Sequence, residues 1–157
     1  MKNIGIFGLG CVGGYFGGKI CQLGQEKDAS YRVYFVARGK HLEAIQAHGL
    51  RLETKEEGPL FCHPTLATGD IAELPPLALC FICVKQYDLL PTLRILAPKI
   101  GPPTKIIALL NGMDIHQRIR TVLDRGIVYP ACVYVLSNIK EPGTVVQNGG
   151  TCRIIFG

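Results

Sequence analysis

The segment Gly8-Leu9-Gly10-Cys11-Val12-Gly13 follows an apolar run, Asn3-Ile-Gly-Ile-Phe7, and opens a stretch of helical patterning from about Cys11 to Leu23. In that strand-turn-helix setting the G-x-G-x-x-G spacing is suited to holding a pyrophosphate. The first glycine permits a tight turn, the second lets the backbone approach the phosphates, and the third lets the helix lie against the strand. Phosphate oxygens would then meet free N–H groups and the positive end of the helix dipole. A glycine-rich turn that serves only close packing is the alternative. Gly14, Gly17 and Gly18 extend the small-residue surface at one-turn spacing. Each costs roughly 0.8 to 1 kcal/mol in helix propensity against Ala, so packing or a ligand must offset it.

Three further points along the chain carry polar groups where a parallel sheet places its ligands. The β-branched and aromatic run Tyr31 to Ala37 delivers Arg38, with Lys40 two residues on, where a domain specific for NAD would present an acid to the ribose hydroxyl. A guanidinium there suits a 2'-phosphate, so NADP (as NADPH) is the expected cofactor; an arginine that merely ends a strand is the alternative. Lys85 follows the apolar strand Leu77 to Val84 and is either a cofactor-side donor or a lysine reaching solvent. Asn111 follows the strand Lys105 to Leu110 and reads equally as a helix cap and as a site residue. His41, His48, His63 and His116 lack a placed partner in the sequence and are expected at the surface.

These residues need elements to hold them. Beyond the first strand and helix, the pattern predicts a helix over His41–His48, small strands over Leu50–Thr54 and Phe61–Ala67, and helices over Tyr87–Ile100 and Ile115–Leu123. Strand-like runs follow at Val128–Leu136, Thr144–Gln147 and Cys152–Phe156, broken by Pro142-Gly143 and Gly149-Gly150. Alternation up to about residue 125 and hairpins after it predict an α/β, Rossmann-type doubly wound, mostly parallel sheet with an added β-hairpin edge near the C-terminus.

Composition narrows the class. The 157 residues are 48% hydrophobic and 18% charged, which fits one domain, 1–157, with a substantial core. The net charge of +5 is scattered rather than clustered, so nucleic acid is not expected as a partner. The longest apolar run, Leu77 to Val84, is far short of the roughly 20 residues that cross a bilayer, and the start of the chain lacks a signal-peptide pattern; no membrane partner and a cytoplasmic location are expected. Seven cysteines follow no metal-ligand spacing, and Cys80-x-x-Cys83 lies in a strand that points the two thiols to opposite faces. No metal is expected.

Taken in order, Gly8-Leu-Gly-Cys-Val-Gly-Gly14, Ala37-Arg-Gly-Lys-His-Leu-Glu-Ala-Ile45 with Gly49-Leu-Arg-Leu52, Val84-Lys85, Leu110-Asn-Gly-Met113 and Glu141-Pro-Gly-Thr-Val145 resemble the ketopantoate reductase (2-dehydropantoate 2-reductase) family over nearly the whole chain. The resemblance implies an oxidoreductase that reduces a 2-oxo acid, ketopantoate, to pantoate with NADPH on the route to pantothenate and coenzyme A. It assigns Gly8 to Gly13 to the pyrophosphate, Arg38 to the 2'-phosphate, Lys85 to the cofactor side and Asn111 to the nicotinamide and substrate region. It also implies a second, helical domain that carries the general-acid lysine and much of a homo-oligomer contact, and by this reading the chain ends where that domain begins and is inactive alone. A stand-alone NADP-binding module for sensing or assembly, or a related dehydrogenase of another substrate, are the competing expectations.

Overall fold

In the computed structural model, which describes residues 1–157, the first strand, β1 (Lys2–Phe7), sends alternate side chains into two separate cores. Ile6 enters one and Phe7 the other, as the two-residue period of a strand dictates. The chain continues through α1 (Cys11–Leu23), β2 (Tyr31–Val36), α2 (Gly39–His48), β3 (Leu50–Thr54), β4 (Gly58–Cys62) and β5 (Leu66–Thr68). It then forms β6 (Leu79–Ile82), α3 (Gln86–Leu96), β7 (Lys105–Ala108), α4 (Ile115–Arg120), β8 (Ile127–Tyr129), β9 (Ala131–Glu141) and β10 (Thr144–Phe156). No helix is long and apolar enough to cross a membrane.

Six strands in the order β5-β2-β1-β6-β7-β8 pair in parallel throughout, which is the doubly wound arrangement the alternation predicts. The order reverses at β1, so β1 has β2 on one side and β6 on the other. Helices α3 and α4 bury Leu89, Leu93, Ile115 and Ile119 against one face of this sheet. The other face is covered by α1 and, beyond it, by a second sheet.

That second sheet is where the C-terminal strands go. Strands β9 and β10 form an antiparallel hairpin, but β10 pairs in parallel with β3, giving the mixed order β4-β3-β10-β9. The hairpin therefore does not extend the edge of the parallel sheet; it joins the small strands after α2 to make a separate layer. Two prolines, which cannot donate to a ladder, mark the transfers between sheets. Pro64 separates β4 from β5, dividing the expected strand Phe61–Ala67, and Pro130 separates β8 from β9, dividing Val128–Leu136. Conversely, Gly149 and Gly150 do not end a strand: β10 runs through them with register shifts, so two expected strands are one.

Helix α1 lies between the two sheets, and its glycines face both. A Cβ on Gly13 would stand 1.9 Å from the Gly8 carbonyl oxygen, and one on Gly17 would stand 3.0 Å from Ile6 Cγ2, both toward the parallel sheet. Cβ atoms on Gly14 and Gly18 would meet Val145 Cγ2 at 2.5 Å and Leu52 Cδ2 at 3.2 Å, toward the second sheet. Cys80 is fully buried in the α3–α4 core while Cys83 packs against the other, so the two thiols diverge as expected.

A methyl at Gly13 would press on the Gly8 backbone and on Cys83 Cβ, neither of which is a flexible side-chain end. Gly13→Ala is expected to destabilise the fold by about 1 to 3 kcal/mol despite the better helix propensity of Ala. Gly10→Ala, whose added Cβ would meet nothing within 4 Å, should lower the urea midpoint by less, through the poorer N-cap preference of Ala alone. Chemical denaturation of the two variants checks this.

Candidate functional site

A cleft of about 390 Å³ opens at the carboxyl ends of β1, β2 and β6, beside the point where the strand order reverses. Its floor is the glycine loop. Gly8 adopts φ +89°, and a Cβ there would lie 2.9 Å from the Cys83 carbonyl oxygen, so only glycine turns the chain this tightly against β6. Gly10 is the N-cap of α1 and no side chain caps the helix, whose first turn carries no acid. The leading N–H groups of α1, which have no intrahelical partner, are thus free for an anion. The empty space around a Gly10 Cβ is the room a phosphate would take.

Of the loop residues, Gly8, Leu9 and Gly10 line the cleft. Cys11, Val12 and Gly13 do not: the Cys11 carbonyl accepts a 2.9 Å hydrogen bond from Ser137 Oγ, Val12 packs into the core, and Gly13 is buried. Arg38 also lines the cleft, in extended conformation at the N-cap of α2. Lys85 holds the equivalent position before α3 and also lines the cleft. Lys40 is exposed and stands outside the lining. Asn111 is exposed and outside it too; its carbonyl accepts from Gln86 Nε2, which ties it to the segment carrying Lys85. The N-cap position of the helix after it is Asp114, whose side chain makes no capping hydrogen bond, so Asn111 is not the residue at that cap.

Two residues in the cleft wall were not singled out by their sequence. Asp88, in the first turn of α3, accepts an ion-pair contact of 2.5 Å from Arg38 Nη2 across the cleft. Its position three residues after Lys85, on the N-terminal turn of a helix, was the only signal, and the contact joins residues fifty apart. The second is His41, expected at the surface and found half-buried in the cleft wall. Its Nδ1 accepts a 3.0 Å hydrogen bond from the Gly143 N–H in the β9–β10 turn. Its Nε2 is buried against the Leu9 backbone without a hydrogen-bond partner of good geometry. The imidazole thus lies among α2, the glycine loop and the second sheet. His48 and His63 are exposed as expected.

The glycine loop with Arg38 and Lys85 at the carboxyl ends of a parallel sheet is the geometry of a dinucleotide site, and residues 4–157 match the family model "Ketopantoate reductase PanE/ApbA". The chain belongs to the ketopantoate reductase family. A 2-dehydropantoate 2-reductase of Mesorhizobium japonicum is 39% identical over 111 residues, 71% of this chain and 32% of that protein. The crystal structure of 2-dehydropantoate 2-reductase from Porphyromonas gingivalis W83 superposes with a TM-score of 0.88 at 37% identity, covering 99% of this chain and 53% of that one. A D-mandelate dehydrogenase solved with NADH and anilino(oxo)acetate shares the fold, with a TM-score of 0.75 at 20% identity over 95% of this chain and 46% of that one. The chain spans about a third to about half the length of these relatives.

Within this ketopantoate reductase domain, burial lowers the His41 pKa below its ordinary 6.5, opposed in part by the Leu9 backbone. The unfolded chain therefore takes up this proton first as the pH falls. The stabilisation is fully present above 6.5 and is lost as the pH drops through the folded-state value. An imidazolium would also set an Nδ1–H against the Gly143 N–H. Urea midpoints should fall between pH 7.5 and 5.5, and His41→Gln should flatten that dependence; an unchanged slope would remove the role given to His41.

Proposed function

We propose that this chain is the cofactor-binding part of an NADPH-dependent reductase of 2-oxo acids, with 2-dehydropantoate as the foremost substrate. The observation that carries the reading is the cleft itself: it is lined both by an uncapped, glycine-walled helix N-terminus at Gly10 and by Arg38, and it opens at the carboxyl ends of the strands. The pyrophosphate fits on Gly8, Leu9 and Gly10, and a 2'-phosphate fits at Arg38, where a guanidinium offers paired donors. Lys85 adds a second cation to the same cleft.

A bound nicotinamide supplies hydride to the keto carbon of the substrate. The residues of this chain would bind and orient: the glycine loop would hold the phosphates, and Val36 and Ile71 give the cleft an apolar wall on which a nucleotide base could lie. Asn111, joined to Gln86, stands on the side where nicotinamide and substrate meet in this reading. The relatives named 2-dehydropantoate 2-reductase support the substrate class, and the choice of dinucleotide falls to Arg38.

Calorimetric titration should give clearly tighter binding of NADPH than of NADH. Arg38→Gln should weaken NADPH by about 1.5 to 3 kcal/mol, the range for a hydrogen bond to a charged group, and leave NADH nearly unchanged. Gly10→Ala, which fills the phosphate space while meeting no protein atom within 4 Å, should weaken both. Tighter binding of NADH by the unaltered chain would sink the assignment of Arg38.

A further inference from the structure

We propose that Asp88 sets the cleft's preference for a 2'-phosphate by competing with that phosphate for Arg38, an inference that rests on the cofactor reading above. Among the residues that line the cleft, Asp88 is the one carboxylate; it pairs with Arg38, and Lys85 and His41 line the same cleft. It sits in the first turn of α3. Its own backbone N–H is held by the Lys85 carbonyl at 2.9 Å. The two partners are unequally anchored: the Asp88 side chain is 22% exposed and that of Arg38 is 77% exposed. The arginine is therefore the member that moves.

The other ion pairs of the chain involve Glu53 and Glu57, on β3 and in the β3–β4 turn, away from the cleft, so only this one changes when a ligand enters. A phosphate arriving at Arg38 has two options. Either the guanidinium leaves Asp88 for the phosphate, or both anions share it and repel each other at close range. Each option weakens phosphate binding. A ribose hydroxyl in the same place suffers neither effect, because it can donate to the carboxylate. Asp88 thus narrows the gap between phosphorylated and unphosphorylated dinucleotides, and the cleft without it is the more selective one.

The test is calorimetry on the full chain with adenosine 2',5'-bisphosphate and adenosine 5'-monophosphate, so that no turnover is needed. Asp88→Asn should tighten the bisphosphate roughly two- to fivefold, the factor expected for releasing an exposed ion pair, without tightening the monophosphate. The gain should shrink at high salt and vanish in an Arg38→Gln background. Asp88→Ser gives the same comparison if the Asn variant melts early. Weaker or unchanged bisphosphate binding in both variants overturns the proposal, since Asp88 would then position Arg38 or stand by. A gain that persists without Arg38 also overturns it. Equal binding of both nucleotides by the unaltered chain, with no effect of Arg38→Gln, instead sinks the cofactor reading of Arg38 and the competition with it.

Discussion

The structure depends on one steric condition: α1 must touch two sheets at once. Helices ordinarily keep their axes 8 to 10 Å from a neighbour because side chains stand between them. Here Gly13 and Gly17 remove that spacing on one face and Gly14 and Gly18 on the other. The closeness to the parallel sheet brings the N-terminus of α1 against the end of β1, where the chain turns at Gly8. The closeness to the second sheet lets Val145 and Leu52 seal the same helix from outside. The free N–H groups of the helix are thereby held at the cleft by packing on both sides rather than by any cap of their own.

The second sheet has a further part in the site. Ser137 holds the Cys11 carbonyl, and the β9–β10 turn at Gly143 holds His41, so both flanks of the glycine loop are tied to strands that lie more than a hundred residues away. A loop that must present bare backbone to an anion has few side chains with which to stabilise itself. Its order is supplied by neighbours, and this explains why a layer that contributes little lining to the cleft still bears on binding.

Much of this was legible in the residues. The G-x-G-x-x-G spacing after an apolar run located the loop, and the residues that end β2 and β6 located Arg38 and Lys85, because parallel sheets place ligands at strand ends. The excess of helix glycines announced a packing demand without saying that it had two sides. What escaped were relations across space. Local pattern assigned Thr144–Phe156 to a hairpin at the sheet edge, since nothing in its sequence names β3 as a partner ninety residues earlier. Asp88 and His41 escaped for the same reason: each is unremarkable on its own helix and acquires a role only from a residue that the topology brings opposite. Lys40 shows the converse, a cation two residues from Arg38 that the helix turns away from the cleft.

The parallel pairing of β10 with β3 has a consequence for how the chain folds. Strands β1, β2, β5 and β6 and helix α1 are all complete by residue 82, so the centre of the large sheet can assemble from the first half of the chain. The outer face of α1, with Leu50, Leu52 and Cys62 beside it, has no full cover until Val145 arrives. During synthesis that apolar strip stays open while some eighty further residues emerge, a long-range closure of the kind that slows folding and exposes intermediates to association. The late hairpin thus acts as the locking step of the domain. A growing chain halted before it would carry a nearly finished sheet with an uncovered glycine helix on its surface.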